Sequence, residues 1–129
     1  MRFGDIMILR SIFAKRKNEV LGVRLSLKLL KFKKATEAEA ELYAERYKRI
    51  LFACAQTDES GAFARSGEGG ILLKPSRAEE YRSQMQELDD AESDVVFQIS
   101  EAEAEELKLT LEEFESILEF IKEGGDGND

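Results

Sequence analysis

Three segments of this chain open with a hydroxyl residue three positions ahead of a glutamate and continue with helix-period apolar residues: Thr36…Glu39, Ser76…Glu79 and Ser100…Glu103. In that arrangement the hydroxyl accepts from the glutamate's backbone N–H, and the carboxylate accepts from the N–H of the hydroxyl residue. Two of the donors that a helix start leaves orphaned are thereby satisfied. Apolar residues then follow each pair. After Thr36 the row is Ala40, Tyr43, Tyr47, Ile50, Leu51 and Cys54. After Ser76 it is Tyr81, Met85 and Leu88, and after Ser100 it is Leu107, Leu111, Phe114, Leu118 and Ile121, widened by Ile117 and Phe120. Spacings of three and four place each row on one helix face. Three helices are therefore predicted. The first fades into the turn-rich Gln56–Gly61, the second ends at Asp89-Asp90, and the third runs unbroken to a C-cap at Gly124.

The segments between them read differently. Val95, Phe97 and Ile99 alternate with Val96 and Gln98, the period of a half-buried strand over Asp94–Ile99. Ala62–Arg65 and Ile71–Lys74 flank Ser66-Gly67-Glu68-Gly69-Gly70, which predicts a hairpin with a glycine turn. Ile6–Arg10 reads as a further short strand. Residues 18–34 carry two periods at once. Val23, Leu25, Leu27 and Leu29 alternate as a strand would, whereas Leu21, Leu25, Leu29 and Phe32 form a helical row. Leucine favours helix and β-branched residues are few, so a helix from about Asn18 to Leu30 is preferred. The fold class is thus α+β, mainly α: three to four amphipathic helices with a small antiparallel β element.

Nothing repeats at a fixed period and no long linker divides the 129 residues, so residues 1–123 are read as one domain. Residues 124–129, rich in Gly and Asp, are read as a disordered tail. One apolar stripe per helix is a thin core for this length. The stripes at 40–54 and 107–121 are expected to bury one another or to pair partly with a second copy, which points to a homo-oligomer.

Charge is unevenly spread. Residues 1–34 hold ten bases against two acids, a balance of +8, and the remainder holds nine against twenty-five, a balance of −16. Two readings of the basic segment stand. It docks on the acidic helices, within one copy or between two, or it binds nucleic acid through Lys15, Arg16, Lys17, Lys31, Lys33 and Lys34. Few aromatics interleave with those cations, so a base-stacking platform is not supported. On the acidic side, Glu105, Glu112 and Glu119 recur every seven residues. They form a candidate interaction face, either a solvated surface or a carboxylate row that imitates a phosphate backbone.

Composition narrows the chemistry. There is no histidine, which removes Ser-His-Asp and Cys-His catalysis and every zinc site with a histidine ligand. The single cysteine, Cys54, lies on an apolar stripe and is read as a buried inert thiol. Asp89–Asp94 is dense in carboxylates but lacks the spacing and central glycine of an EF-hand loop. Ser66–Gly70 lacks the Lys-Ser/Thr ending of a phosphate-binding loop. No apolar run reaches the roughly 18 residues of a membrane span. The start has no sustained apolar core of a signal peptide, and Met7 is an alternative initiator. With one thiol, a cytoplasmic setting is expected. The expectation is a non-enzymatic protein with no cofactor, no metal and no catalytic residues.

Several features together resemble a family of small phage- and prophage-encoded proteins of Gram-positive bacteria, a domain of unknown function. They are Asn18-Glu19-Val20-Leu21 before a leucine-rich helix, Leu29-Leu30-Lys31-Phe32-Lys33, the tip Asp58-Glu59-Ser60-Gly61, and Leu73-Lys74-Pro75 at a helix start. A short strand then precedes the last helix. The resemblance spans about residues 5–122. It departs at Thr36–Glu41, where members carry a Ser-Arg-x-Arg run, so no role tied to those arginines transfers. It implies a phage-encoded, non-enzymatic setting; the lack of a catalytic constellation and the strongly charged faces add the expectation of an accessory protein that binds a host or phage protein.

Overall fold

The computed structural model describes residues 1–122, and the predicted tail and Gly124 cap lie outside them. Six α-helices form: α1 (Phe3–Ala14), α2 (Val23–Ala35), α3 (Glu37–Cys54), α4 (Ala78–Asp90), α5 (Glu101–Glu106) and α6 (Leu111–Ser116). Two 3₁₀ turns, Pro75–Arg77 and Leu118–Phe120, and two two-residue strands, β1 (Ile99–Ser100) and β2 (Ile121–Lys122), complete the regular elements of the described residues. The mainly helical reading holds, with more helices than expected.

The two-stranded sheet is parallel, pairing Ile99 with Ile121 and Ser100 with Lys122, and this corrects the antiparallel expectation. The physical reason is the connection. Parallel strands need a crossover of a dozen or more residues, and α5, α6 and the second 3₁₀ turn supply one. Residues 95–98 keep the predicted burial alternation, with Phe97 buried and Val96 exposed, but make no ladder. Antiparallel contact is confined to isolated bridges, among them Ala55–Leu73, Thr57–Phe63 and Arg65–Ile71. There the glycine turn closes, with Gly69 at φ 90° and Ser66 N–H donating to Gly70 O at 2.7 Å. Three backbone bonds then link the segments in a ring: Gln56 to Leu72, Leu72 to Ala64 and Ala64 to Gln56, each 2.8 or 2.9 Å.

Residues 6–10 are helix, not strand. Ile6, Leu9 and Ile12 are buried along one side of α1 and join Leu25, Phe32, Phe97, Ile99, Ala104, Leu107, Ile117 and Ile121 in the main core. Phe13, Phe32 and Phe97 meet there with ring centroids 4.6 to 5.8 Å apart. A helix that buries most of its apolar surface reads as a short apolar run, which periodicity alone cannot separate from a strand. The basic third therefore carries core residues. The stripe of α3 packs mainly on α4 and α1 rather than on residues 107–121.

Two predicted helix starts behave differently from the third. Thr36 is fully buried, and its hydroxyl donates back to Phe32 O at 2.8 Å while accepting from Arg10 Nη1 at 2.8 Å. It is the joint between α2 and α3 and caps neither through its side chain. Ser76 sits inside the Pro75–Arg77 turn that leads into α4 and makes no cap bond. Ser100 forms the predicted box: its Oγ accepts from Glu103 N–H at 3.1 Å, and Glu103 Oε1 accepts from Ser100 N–H at 2.9 Å.

Candidate interaction surfaces

The predicted long C-terminal helix is broken at Lys108, which has φ 53°. A left-handed residue cannot continue an α-helix, so α5 ends there. Thr110 then opens α6 with a second complete capping box, Thr110–Glu113, at 3.1 and 2.9 Å. This box has the same hydroxyl-x-x-Glu signature as the other three, hidden in sequence because Leu107, Leu111 and Phe114 also fit one uninterrupted stripe. In consequence Glu105, Glu112 and Glu119, all exposed, stand on α5, α6 and the 3₁₀ turn rather than along one helix.

The capping glutamates tie the acidic part to the basic third. Arg16, with only 10% of its side chain exposed, donates to both carboxylate oxygens of Glu113 and to the carbonyls of Ile12, Leu107 and Lys108. That fork, helped by the Thr110 N–H, holds the Glu113 carboxyl down at about 2. Lys28 Nζ donates to Glu103 Oε1 at 2.7 Å. Burial works against ionisation of Glu103, but Lys28 and Ser100 outweigh it and keep this carboxyl below its ordinary range. Glu106 accepts from Gly22 N–H ahead of α2.

The six cations predicted to meet nucleic acid are thus not equivalent. Arg16 is turned inward and saturated, which splits the Lys15-Arg16-Lys17 run. Lys15 lies 4.0 Å from Glu113 and is mostly exposed. Lys17, Lys31, Lys33 and Lys34 are exposed and make no ion pair with a described residue. On α2, Leu25 and Phe32 face the core, and Val23, Leu27, Leu30 and Lys34 fall on the opposite side of the helix. Val23 is 77% exposed, Leu27 51% and Leu30 48%, with Lys31 alongside. The result is an apolar ridge edged with positive charge.

A counterpart lies on α6. Glu113 on α6 and Ile117 just after it are buried, whereas Leu111 and Phe114 on α6 and Leu118 at the start of the 3₁₀ turn remain on the outside. Leu111 is 77% exposed. Glu112, Glu115 and Glu119 border these residues, so this ridge is edged with negative charge. Sequence reading put Leu111, Phe114 and Leu118 in the core, because it did not see that the break at Lys108 rotates α6 relative to α5.

Elsewhere the polar groups serve one another. A groove of about 960 Å³ lies beside α1 and the α5–α6 junction, walled in part by Arg2, Asp5, Arg16, Tyr43, Asp89 and Glu113. Arg2 pairs with Asp5 and Asp90, Arg16 with Glu113, and the Tyr43 hydroxyl donates to Asp89 at 2.7 Å. Burial, followed by that bond to a carboxylate, pushes the Tyr43 phenol up from its ordinary value. In the Asp89–Asp94 cluster, Glu92 meets the chain's amino terminus at 3.5 Å. Among the described residues no group of three His, Cys, Asp or Glu is placed to hold a metal ion. Asp58 caps its own loop by accepting from Ser60 and Ala62, which gives Asp58-Glu59-Ser60-Gly61 a structural role. Cys54 is buried. Among the described residues no helix is long and apolar enough to cross a membrane. No family model, curated protein or solved structure matches the chain.

Proposed function

We propose that this protein works by recognition rather than bond-making, docking a protein partner through the ridges of α2 and α6. The observation that carries the reading is the pair of exposed apolar rows, Val23, Leu27 and Leu30 on α2, and Leu111 and Phe114 on α6 continued by Leu118 on the 3₁₀ turn after it. Single exposed apolar residues are ordinary, but rows at helical spacing rimmed by charge mark interaction surfaces. The resemblance to phage-encoded proteins supports an accessory factor acting in a host cytoplasm. Photo-crosslinkers placed singly at Leu27 and Leu111, with Glu68 on the glycine turn as control, test the reading in the source cell. Protein adducts from the ridge positions and none from the control are expected. Absence of any protein adduct from either ridge would overturn it.

A narrower form makes the exposed carboxylates Glu105, Glu112 and Glu119, spread over α5, α6 and the 3₁₀ turn, the face that inhibits a nucleic-acid-processing system. Its test is Glu105→Lys, Glu112→Lys and Glu119→Lys together, which should abolish inhibition while circular dichroism stays unchanged. A second reading is favoured by the exposed Lys31, Lys33 and Lys34, which make no ion pair with a described residue: direct nucleic-acid binding. It expects log affinity to fall linearly with log salt, and binding to weaken when these three become Ala. Failure to shift duplex, single strand or RNA at low salt would end it.

A further inference from the structure

We propose that the occupant of the positively edged ridge on α2 is the negatively edged ridge on α6 of a second copy of this chain. The inference rests on the docking reading above and names the partner. The two surfaces match in kind. Each is a row of three large apolar side chains at spacings of three and four, and each is bordered by one sign of charge: Lys31 and Lys34 on α2, Glu112 and Glu115 on α6.

They also match in size. From Val23 to Leu30 the apolar row of α2 runs about 10 Å at 1.5 Å per residue, and Leu111–Leu118, seven residues along α6 and the 3₁₀ turn that follows it, is a row of comparable length. Within one copy the two ridges do not cover each other, since Val23 and Leu111 both stay 77% exposed. The cations that face inward, Arg16 and Lys28, are already matched by Glu113 and Glu103. Lys31 and Lys34, left outside, make no ion pair with a described residue, and the α6 ridge offers that charge with apolar surface to bury beside it. Because the contacting surfaces differ, two copies either satisfy both ridges reciprocally in a two-fold dimer or associate head to tail through one contact at a time.

The experiment uses the full chain at physiological ionic strength, with mass followed by sedimentation equilibrium across a concentration series. One variant carries Lys31→Glu and Lys34→Glu, the other Glu112→Lys and Glu115→Lys. All four positions are exposed, and circular dichroism checks each fold. The wild type is expected to self-associate, and each variant alone to associate at least about tenfold more weakly because like charges then face each other. Mixing the two variants restores association, since one supplies acidic and the other basic ridges. Leu27→Ala and Leu111→Ala, each weakening wild-type association with all charges intact, form a second arm. A monomeric wild type, variants that associate like the wild type, or a mixture no heavier than its parts would each overturn the proposal. So would α2 partitioning onto phosphatidylserine vesicles while the chain stays monomeric. Ridge crosslinks to other proteins alone would overturn self-association yet leave the docking reading standing, whereas crosslinks to no protein would remove both.

Discussion

Arg16 is the residue on which two regions of opposite charge converge. Its guanidinium bridges both oxygens of Glu113 and three backbone carbonyls, including those at the α5–α6 break. Removing one partner of such a pair leaves the other without compensation in a place where water solvates it poorly. Arg16→Ala is therefore expected to lower unfolding stability by roughly 2–3 kcal/mol, measured by urea denaturation. The neighbouring Lys17→Ala is expected to stay within about 0.5 kcal/mol. An equal effect from the two would contradict the assignment of Arg16 as the inward clamp.

The same pair sets an acid response. Glu113 titrates at about 2 in the folded protein, below the 4.5 of a free glutamate, so the unfolded chain binds the extra proton in that interval. Its stabilising effect is complete above about pH 4.5 and disappears as pH falls toward 2. Thermal melts across this range should show a steep decline in the wild type and a shallower one in Glu113→Gln. Parallel declines would mean that other carboxyls set the acid limit.

At the scale of elements, the two short helices near the C-terminus depend on a break that the apolar pattern conceals. Lys108 adopts a left-handed conformation that costs a residue with a side chain about 1–2 kcal/mol. Lys108→Gly is expected to be neutral or to stabilise by up to about 1 kcal/mol, since only the backbone carbonyl serves Arg16. Thr110→Ala removes the cap of α6 and should cost about 1 kcal/mol, read by the same denaturation curves. If Lys108→Gly destabilised more than Thr110→Ala, the break would have a different origin.

These elements also mark how far the sequence is legible. Helix starts at Ser100 and near Thr36 and Ser76 follow from local chemistry and apolar period. The burial alternation of 95–99 follows from side-chain order. Local patterns do not encode which of two compatible bonds a hydroxyl makes. The tertiary partner Arg10 and the carbonyl of Phe32 take the Thr36 oxygen away from capping. The parallel pairing of β1 with β2 is likewise a long-range outcome of how α5 and α6 return the chain. Of the site, the exposed Lys31, Lys33, Lys34, Glu105, Glu112 and Glu119 were legible as surface charge. The inward turn of Arg16 and the outward turn of Leu111 and Phe114 were not, because both follow from the angle at Lys108.

For the molecule as a whole, the balance of +8 in residues 1–34 and −16 in the remainder describes a body whose first third is seated on the rest. Ile6, Leu9 and Ile12 supply the apolar part of that seat, and Arg16–Glu113 and Lys28–Glu103 its polar edge. The lysines on the outer side of α2, Lys31 and Lys34, stay exposed. Native-state hydrogen exchange resolved to single amides tests this arrangement most directly. Amides of Ile6, Leu9 and Ile12 are expected to exchange as slowly as that of Ile117, through the same global opening, and far more slowly than those of the exposed Ser60–Gly61 tip. Exchange of α1 as fast as that tip would show a basic arm detached from the core, and would contradict the account.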